Sequence, residues 1–177
     1  MGTKARITRC LQGDKLAFKE FYTLYSRAML NASLRIVGNQ EEAEDILQES
    51  FLIAFQKLKD IRSDAEFGGY LKKVVVNKSI DLIRKRKLDL SSLDDVQVTE
   101  ITEEDDELQY DPSLLSECIG DLPSGFRLVL TLYLFEDYSH REIAEFLNIS
   151  EGTSKSQYNR ARQKLAELYH KKSRTHA

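Results

Sequence analysis

The sequence predicts an all-α protein of two small helical domains, an N-terminal helical bundle and a C-terminal helix-turn-helix four-helix domain, joined by a flexible acidic linker. Three observations carry this. Apolar residues recur at spacings of three and four over most of the chain, the mark of amphipathic helices. Only two prolines and eight glycines interrupt 177 residues rich in Glu, Lys, Leu and Arg. Between positions 88 and 112 the periodicity fails, and ten acids stand there without one Lys or Arg. The expected division is therefore 1–88, a linker at 89–112, and 113–177.

A first helix is expected over 14–37, where Phe18, Phe21, Tyr22, Tyr25, Met29, Ala32 and Ile36 share a face. Gly38-Asn39 then supplies a left-handed stop, since glycine takes positive φ without steric cost. A second helix follows over about 41–58 with Ala43, Leu47, Ser50, Ala54 and Leu58 turned inward. After the polar stretch 59–64, a third runs over about 66–87 and turns Leu71, Val75, Ile80, Leu82 and Ile83 away from its polar face. Three such helices bury a modest shared core, enough for a small domain.

Ser, Thr, Asp and Glu dominate 89–112, and like charges repel, so an extended tether is expected; a merely solubilising spacer has the same composition. Periodicity resumes in four pieces, about 113–120, 124–136, 140–147 and 151–170. The Leu122-Pro123 step divides the first two, because proline disfavours helix at the residue before it and suits the first turn of the next. Ser139-His140-Arg141-Glu142 fits a capping box. Ile143, Ala144 and Leu147 form a short stripe, Asn148-Ile149-Ser150 a tight turn, and Ser150 a cap for the last helix. In that helix Ser154, Tyr158, Ala161, Leu165 and Leu168 define the buried face.

A formal charge of −3 hides a segregation: outside the acidic stretch, 19 acids face 26 bases, a balance of +7. Basic, acidic, basic is a pattern that fits nucleic acid as a partner. No apolar run reaches the roughly 18 residues of a membrane span, and Met1-Gly2-Thr3-Lys4-Ala5-Arg6 lacks an apolar signal core. No membrane insertion is expected, and the chain reads as cytoplasmic. Cys10 and Cys118 belong to no paired motif, and His140, His170 and His176 have no second ligand at metal spacing, so no disulfide, metal or cofactor is expected. No nucleophile stands with a base and no carboxylates group as at a catalytic metal, so no catalytic residue is expected and the chain does not read as an enzyme.

Three helix faces carry the chemistry. On the second helix Glu41, Glu44, Asp45, Gln48 and Leu52 lie opposite the core; an acidic stripe with an exposed leucine suits protein docking, although solvated acidic faces are common. On the third, Tyr70, Lys73, Asn77, Asp81 and Arg84 share a face. A ring that stacks on a base, amides that read edges and cations that hold the backbone suit single-stranded DNA. Arg84-Lys85-Arg86-Lys87 adds attraction, and a solvated face is the alternative. On the last helix Lys155, Ser156, Asn159, Arg160 and Gln163 lie opposite the core. A helix-turn-helix presents such a face to the major groove, where Arg forks onto guanine and Asn onto adenine. From Gly152 onward seven Lys or Arg against one Glu attract phosphate.

In this order, three stretches resemble the extracytoplasmic-function (ECF) sigma factors of the sigma-70 family. Glu42-Ala43-Glu44-Asp45-Ile46-Leu47-Gln48-Glu49-Ser50-Phe51 is similar to the family's acidic polymerase-binding helix. Phe67-Gly68-Gly69-Tyr70-Leu71, with Asn77-Lys78-Ser79-Ile80-Asp81-Leu82-Ile83-Arg84-Lys85-Arg86, resembles its melting and −10 recognition helix. Leu122-Pro123, Tyr138-Ser139-His140-Arg141-Glu142-Ile143-Ala144 and the stretch from Ser150 to Arg162 resemble its −35 reading domain. The resemblance implies a subunit that binds bacterial core RNA polymerase and promoter DNA and directs transcription initiation, with an anti-sigma factor as a further partner. Polymerase docking would use Glu44, Asp45, Gln48 and Glu49 on the stripe that holds Glu41 and Leu52. The −10 DNA would meet Ser63, Asp64, Tyr70, Lys73, Asn77, Lys78, Arg84 and Lys85, with the loop 61–66 helping to hold a flipped base and Asn77 beneath it. The −35 duplex would meet Thr153, Lys155, Ser156, Asn159, Arg160 and Gln163, while another surface of that domain sits on the polymerase flap. The tether would thread toward the RNA exit path.

Some positions depart from the family pattern. Tyr70 stands where Trp is frequent, Ser154 where valine is usual and Gln157 where Arg is frequent, and the long acidic tether matches no family feature; the exact promoter sequence stays open. A self-standing helix-turn-helix repressor is the other reading. It would need a dimer interface to span two half-sites, and no heptad seam or spare apolar face offers one.

Overall fold

Side-chain oxygens set where most helices of this chain begin. The computed structural model describes residues 3–86 and 111–174, and side chains from Arg6 onward. A helix that the periodicity does not mark, α1 (Thr3–Leu11), comes first. Asp14 then accepts from the Leu16 amide at the start of α2 (Lys15–Val37), and Asn39 from Glu42 at α3 (Gln40–Gln56). A 3-10 turn at Leu58–Asp60 leads to α4 (Asp64–Lys85), whose first turn Ser63 caps. In the second half Asp111 caps α5 (Pro112–Gly120), and α6 (Ser124–Leu134) starts behind Pro123. Ser139 and Glu142 form the expected capping box on α7 (His140–Leu147), and Ser150 caps α8 (Glu151–Ser173). Each cap satisfies an amide that helix geometry leaves unpaired, worth about 1 kcal/mol. Gly38, at φ 72, gives the left-handed stop expected of it.

Among the described residues there is no strand, and the helices fall into two compact units that divide after Arg86. Most of the expected linker, 89–110, lies outside the described residues. Its last two positions are corrected: Asp111 and Pro112 begin α5. No helix among the described residues is long and apolar enough to cross a membrane.

In the first unit α2, α3 and α4 pack pairwise, and α1 lies on α2, α4 and the 3-10 turn. Phe67, fully buried, is the hub. Its ring centre lies 4.4 Å from Phe21, 5.5 Å from Phe55 and 6.4 Å from Phe51, which joins all three long helices. All five inward positions expected of the second helix are buried, as are Leu71, Val75, Ile80 and Ile83 of α4. Tyr22 is a correction. It is 44% exposed, because it sits at the edge of the seam and lays its ring on Phe51 at 4.9 Å. Leu82 likewise is only half-buried. Deeper down, Ser79 donates to the Val75 carbonyl and accepts from Ser33 at 3.0 Å, so neither buried hydroxyl is left unpaired.

Among the described side chains of α1, Ile7 and Cys10 are buried, and ion pairs add to the holding. Arg9 bonds Asp14 at 2.8 Å and Glu20 at 3.0 Å, while Arg6 bonds Glu20 at 3.1 Å and also Asp64. Burial pushes the Cys10 thiol up to about 11, which keeps it protonated and inert at neutral pH.

In the second unit α5, α6 and α7 all pack on α8. Ile119, Leu122, Phe126, Leu130 and Ala161 form a core flanked by Leu115, Tyr158, Leu165 and Leu168. At the corner between α7 and α8, His140 Nδ1 and the buried Ser154 Oγ lie 3.0 Å apart. The imidazole stacks on Tyr133 at 4.3 Å. Position 154 thus holds a buried hydroxyl with a polar partner.

Two outcomes follow from this packing. Phe67→Ala empties the hub of the first unit and is expected to cost about 3–5 kcal/mol, read from urea unfolding followed by NMR signals of α4. Burial, aided by Lys155, holds the His140 pKa below its ordinary value, so the neutral ring is the form the fold favours. The unfolded chain then binds the extra proton first. The stability this contributes is present above about pH 6.5 and is lost as pH falls through the lower folded value. Unfolding of α8 monitored between neutral and mildly acidic pH is expected to show that loss, and His140→Asn to flatten it.

Candidate protein-docking and nucleic-acid interfaces

The core of α3 is continuous along one side, through Ala43, Ile46, Leu47, Ser50, Phe51 and Ala54. The other side is thereby left to solvent. Glu41, Glu44, Asp45, Gln48, Glu49 and Leu52 are all exposed there, Leu52 to 65%. The structure thus brings the whole expected docking stripe together. Tyr22 of α2, resting on Phe51, adds an exposed ring that periodicity alone assigned to the core.

On α4, Lys73, Asn77, Asp81, Arg84 and Lys85 are exposed and Tyr70 is half-buried, so the expected polar face is present. Lys78 is held by a residue of the docking helix: its Nζ lies 2.6 Å from Glu49, and this ammonium keeps the Glu49 carboxyl below its ordinary value. Arg86 makes a matching bond to Glu42 and donates to the Val37 carbonyl at 3.1 Å. A groove of about 310 Å³ runs between the two helices, with Asp45 and Glu49 on one wall and Lys78, Asp81 and Lys85 on the other.

Two expected −10 contacts are corrected. Asp64 is 5% exposed and its carboxylate binds Arg6, because a carboxylate at that depth needs a cation. Ser63 Oγ is taken by the amide of Glu66, at 3.1 Å. Both side chains serve the fold. The signal was present in Ser63-Asp64-Ala65-Glu66, which has the spacing of a capping box, but the partner of Asp64 is 58 positions away and no local pattern announces it.

On α8 the faces separate as expected. Ser154, Gln157 and Ala161 are buried, Lys155 and Asn159 are exposed, and Thr153, Ser156, Arg160 and Gln163 are half-buried. Lys155 rests 2.7 Å from Glu151 in a solvent-exposed i,i+4 pair, which water and salt screen, so the pairing holds its ammonium only weakly. Gln157, at 2% exposure, faces inward and cannot occupy the place of a DNA-contacting arginine. Arg162, exposed with its guanidinium 6.0 Å from the centre of the Tyr158 ring, is a cation of this helix outside the expected set.

Comparison with known proteins agrees with both halves. The family model for sigma-70 region 2 matches residues 21–88, and that for sigma-70 region 4 matches 113–165. The ECF RNA polymerase sigma factor SigW of Bacillus subtilis is 32% identical over 93% of this chain and 95% of its own. RNA polymerase sigma factor SigV of the same bacterium is 30% identical over 90% and 88%. The sigma factor RpoE of Bartonella quintana, solved in complex with the anti-sigma factor NepR, shares the fold, with a TM-score of 0.53, 22% identity and coverage of 85% of this chain and 95% of that one. A self-standing repressor is not favoured, since it has no use for region 2. With both regions in order and curated relatives matched along nearly its whole length, the chain belongs to the ECF sigma factors of the sigma-70 family and acts as a subunit that binds core RNA polymerase and directs promoter recognition at transcription initiation.

Proposed function

We propose a residue-level division of labour for this sigma factor. Glu41, Glu44, Asp45, Gln48, Glu49 and Leu52 dock α3 on the polymerase. Tyr70, Lys73, Asn77, Lys78, Arg84 and Lys85, with the backbone of loop 61–66, hold the melted −10 strand. Thr153, Lys155, Ser156, Asn159, Arg160 and Gln163 present α8 to the −35 duplex. The observation that carries the docking assignment is Leu52, 65% exposed in the middle of an acidic stripe on a helix whose other side is all core. Docking on a basic surface draws Glu49 away from Lys78 and turns that ammonium toward DNA.

Residues 1–88 form the docking and −10 domain and 111–177 the −35 domain, with 89–110 as the tether toward the RNA exit path. As in the Bartonella sigma factor solved with NepR, an anti-sigma factor is the further partner. The chain works in the cytoplasm, with no catalytic group and no cofactor of its own.

Asp45→Arg is expected to abolish co-elution with core polymerase while leaving the helical circular-dichroism signal intact; retained co-elution would place docking elsewhere. Arg160→Ala is expected to cost about 1–3 kcal/mol and to relax selectivity at one −35 base pair, measured by binding to a panel of −35 variants. A uniform loss across that panel would reduce Arg160 to a phosphate contact.

A further inference from the structure

Asp64 closes the loop 61–66 and opens α4, and three elements converge on it. Arg6 of α1 bonds Oδ2 through Nη1. Tyr25 of α2 donates its hydroxyl to the Asp64 backbone carbonyl at 2.7 Å. The tyrosine ring reaches that point because residue 68 has no side chain: a Cβ on Gly68 would stand 2.7 Å from its Cε1. Arg6 is itself fixed, by Glu20 at 3.1 Å and by the Phe21 ring, whose centre lies 5.6 Å from the guanidinium carbon. Within the loop, Glu66 accepts from the Arg62 amide at 2.8 Å, which ties the segment to the first turn of α4.

The Asp64 carboxylate is buried, and its Oδ1 has no hydrogen-bond partner among the described residues. Arg6 is thus what balances its charge. Without the guanidinium, a buried uncompensated carboxylate is relieved by swinging Asp64 outward, which moves the loop joined to it. The middle of α4 is seated separately by Leu71, Val75 and Ile80, so the displacement stays at the start of the helix.

We infer that Arg6 and Tyr25 are positioning residues for −10 recognition, acting through Asp64 to set the backbone of loop 61–66. This rests on the proposed assignment of that loop and Asn77 to the flipped base. The first helix, which carries none of the assigned DNA contacts, then controls how well the base is held.

Holoenzyme reconstituted from core polymerase and the full chain tests this on a promoter mapped by run-off transcription. Core affinity, thermal midpoint and discrimination between the parental −10 strand and one with the flipped base replaced are measured for Arg6→Gln, Arg6→Lys and Tyr25→Phe, with Asn77→Ala marking the pocket. Tyr25→Phe keeps the ring against Gly68 and loses only the hydroxyl, so its fold is expected to persist. Unchanged core affinity with discrimination lowered about three- to tenfold in Arg6→Gln and Tyr25→Phe, partly restored in Arg6→Lys, supports the inference. Discrimination intact in both while Asn77→Ala lowers it overturns the inference and spares the pocket assignment. Equal losses of core affinity and discrimination also overturn it, by making α1 a general support. If Asn77→Ala itself leaves discrimination intact, the pocket assignment fails and the inference goes with it.

Discussion

The seating of α4 against α2 and α3 governs the rest of the first unit, because one face of that helix must be buried on two partners while its opposite face stays exposed to solvent. Phe67 fixes one end of the contact, with Phe21, Phe51 and Phe55 around it. Further along, the Ser33–Ser79 pair fixes the register. A slip of one turn would separate two buried hydroxyls and leave each in an apolar surround without a partner, a penalty larger than the net gain from the bond itself. The hydrophobic hub decides that the helices associate. The hydroxyl pair decides how far along each other they sit, and so which residues of α4 look outward.

What was legible in the sequence is what is determined within a few residues. The stripes of α2, α3 and α4 show through their spacing, and Gly38, the Ser139–Glu142 box and the Ser150 cap show because each acts within three or four positions of itself. The exposed acidic stripe on α3 is legible for the same reason, since a continuous core on one side of a helix dictates its opposite. The pairings of Asp64 and Lys78 do not show in the sequence because their partners lie 58 and 29 positions away. An aspartate beside a DNA-facing loop and an aspartate neutralised inside the fold have the same local sequence. The first helix escaped notice since two buried apolar residues make no period, and its attachment comes from arginines whose acids lie on α2 and α4.

The charge segregation seen along the chain has a counterpart in three dimensions. Glu49 and Glu42 on α3 meet Lys78 and Arg86 on α4 across the groove, so part of the positive charge of α4 is paired with α3. These pairs are partly exposed, and pairs of that kind contribute no more than about 1 kcal/mol. They hold the cations in place without holding them firmly. Under the proposed assignment, a basic partner surface would compete for the same carboxylates at little cost, so docking and DNA affinity would be linked through ordinary electrostatics.

The two helices to which DNA contacts are assigned by proposal, α4 and α8, are each anchored near their first turn by a polar side chain from another helix. On α4 this is Arg6 with Tyr25, acting on Asp64; on α8 it is His140, acting on Ser154. Apolar packing fixes the axis and roll of a helix, but its first turn has unpaired amides and frays unless something closes it. That turn is also where the assigned contacts crowd: Thr153, Lys155 and Ser156 surround Ser154, and segment 61–66 runs through Asp64 into the first turn of α4. An apolar residue at either anchor could fill the same volume, as valine does at position 154 in the family pattern, but it would fix distance without direction. A hydrogen bond constrains both, and reading a base edge demands both.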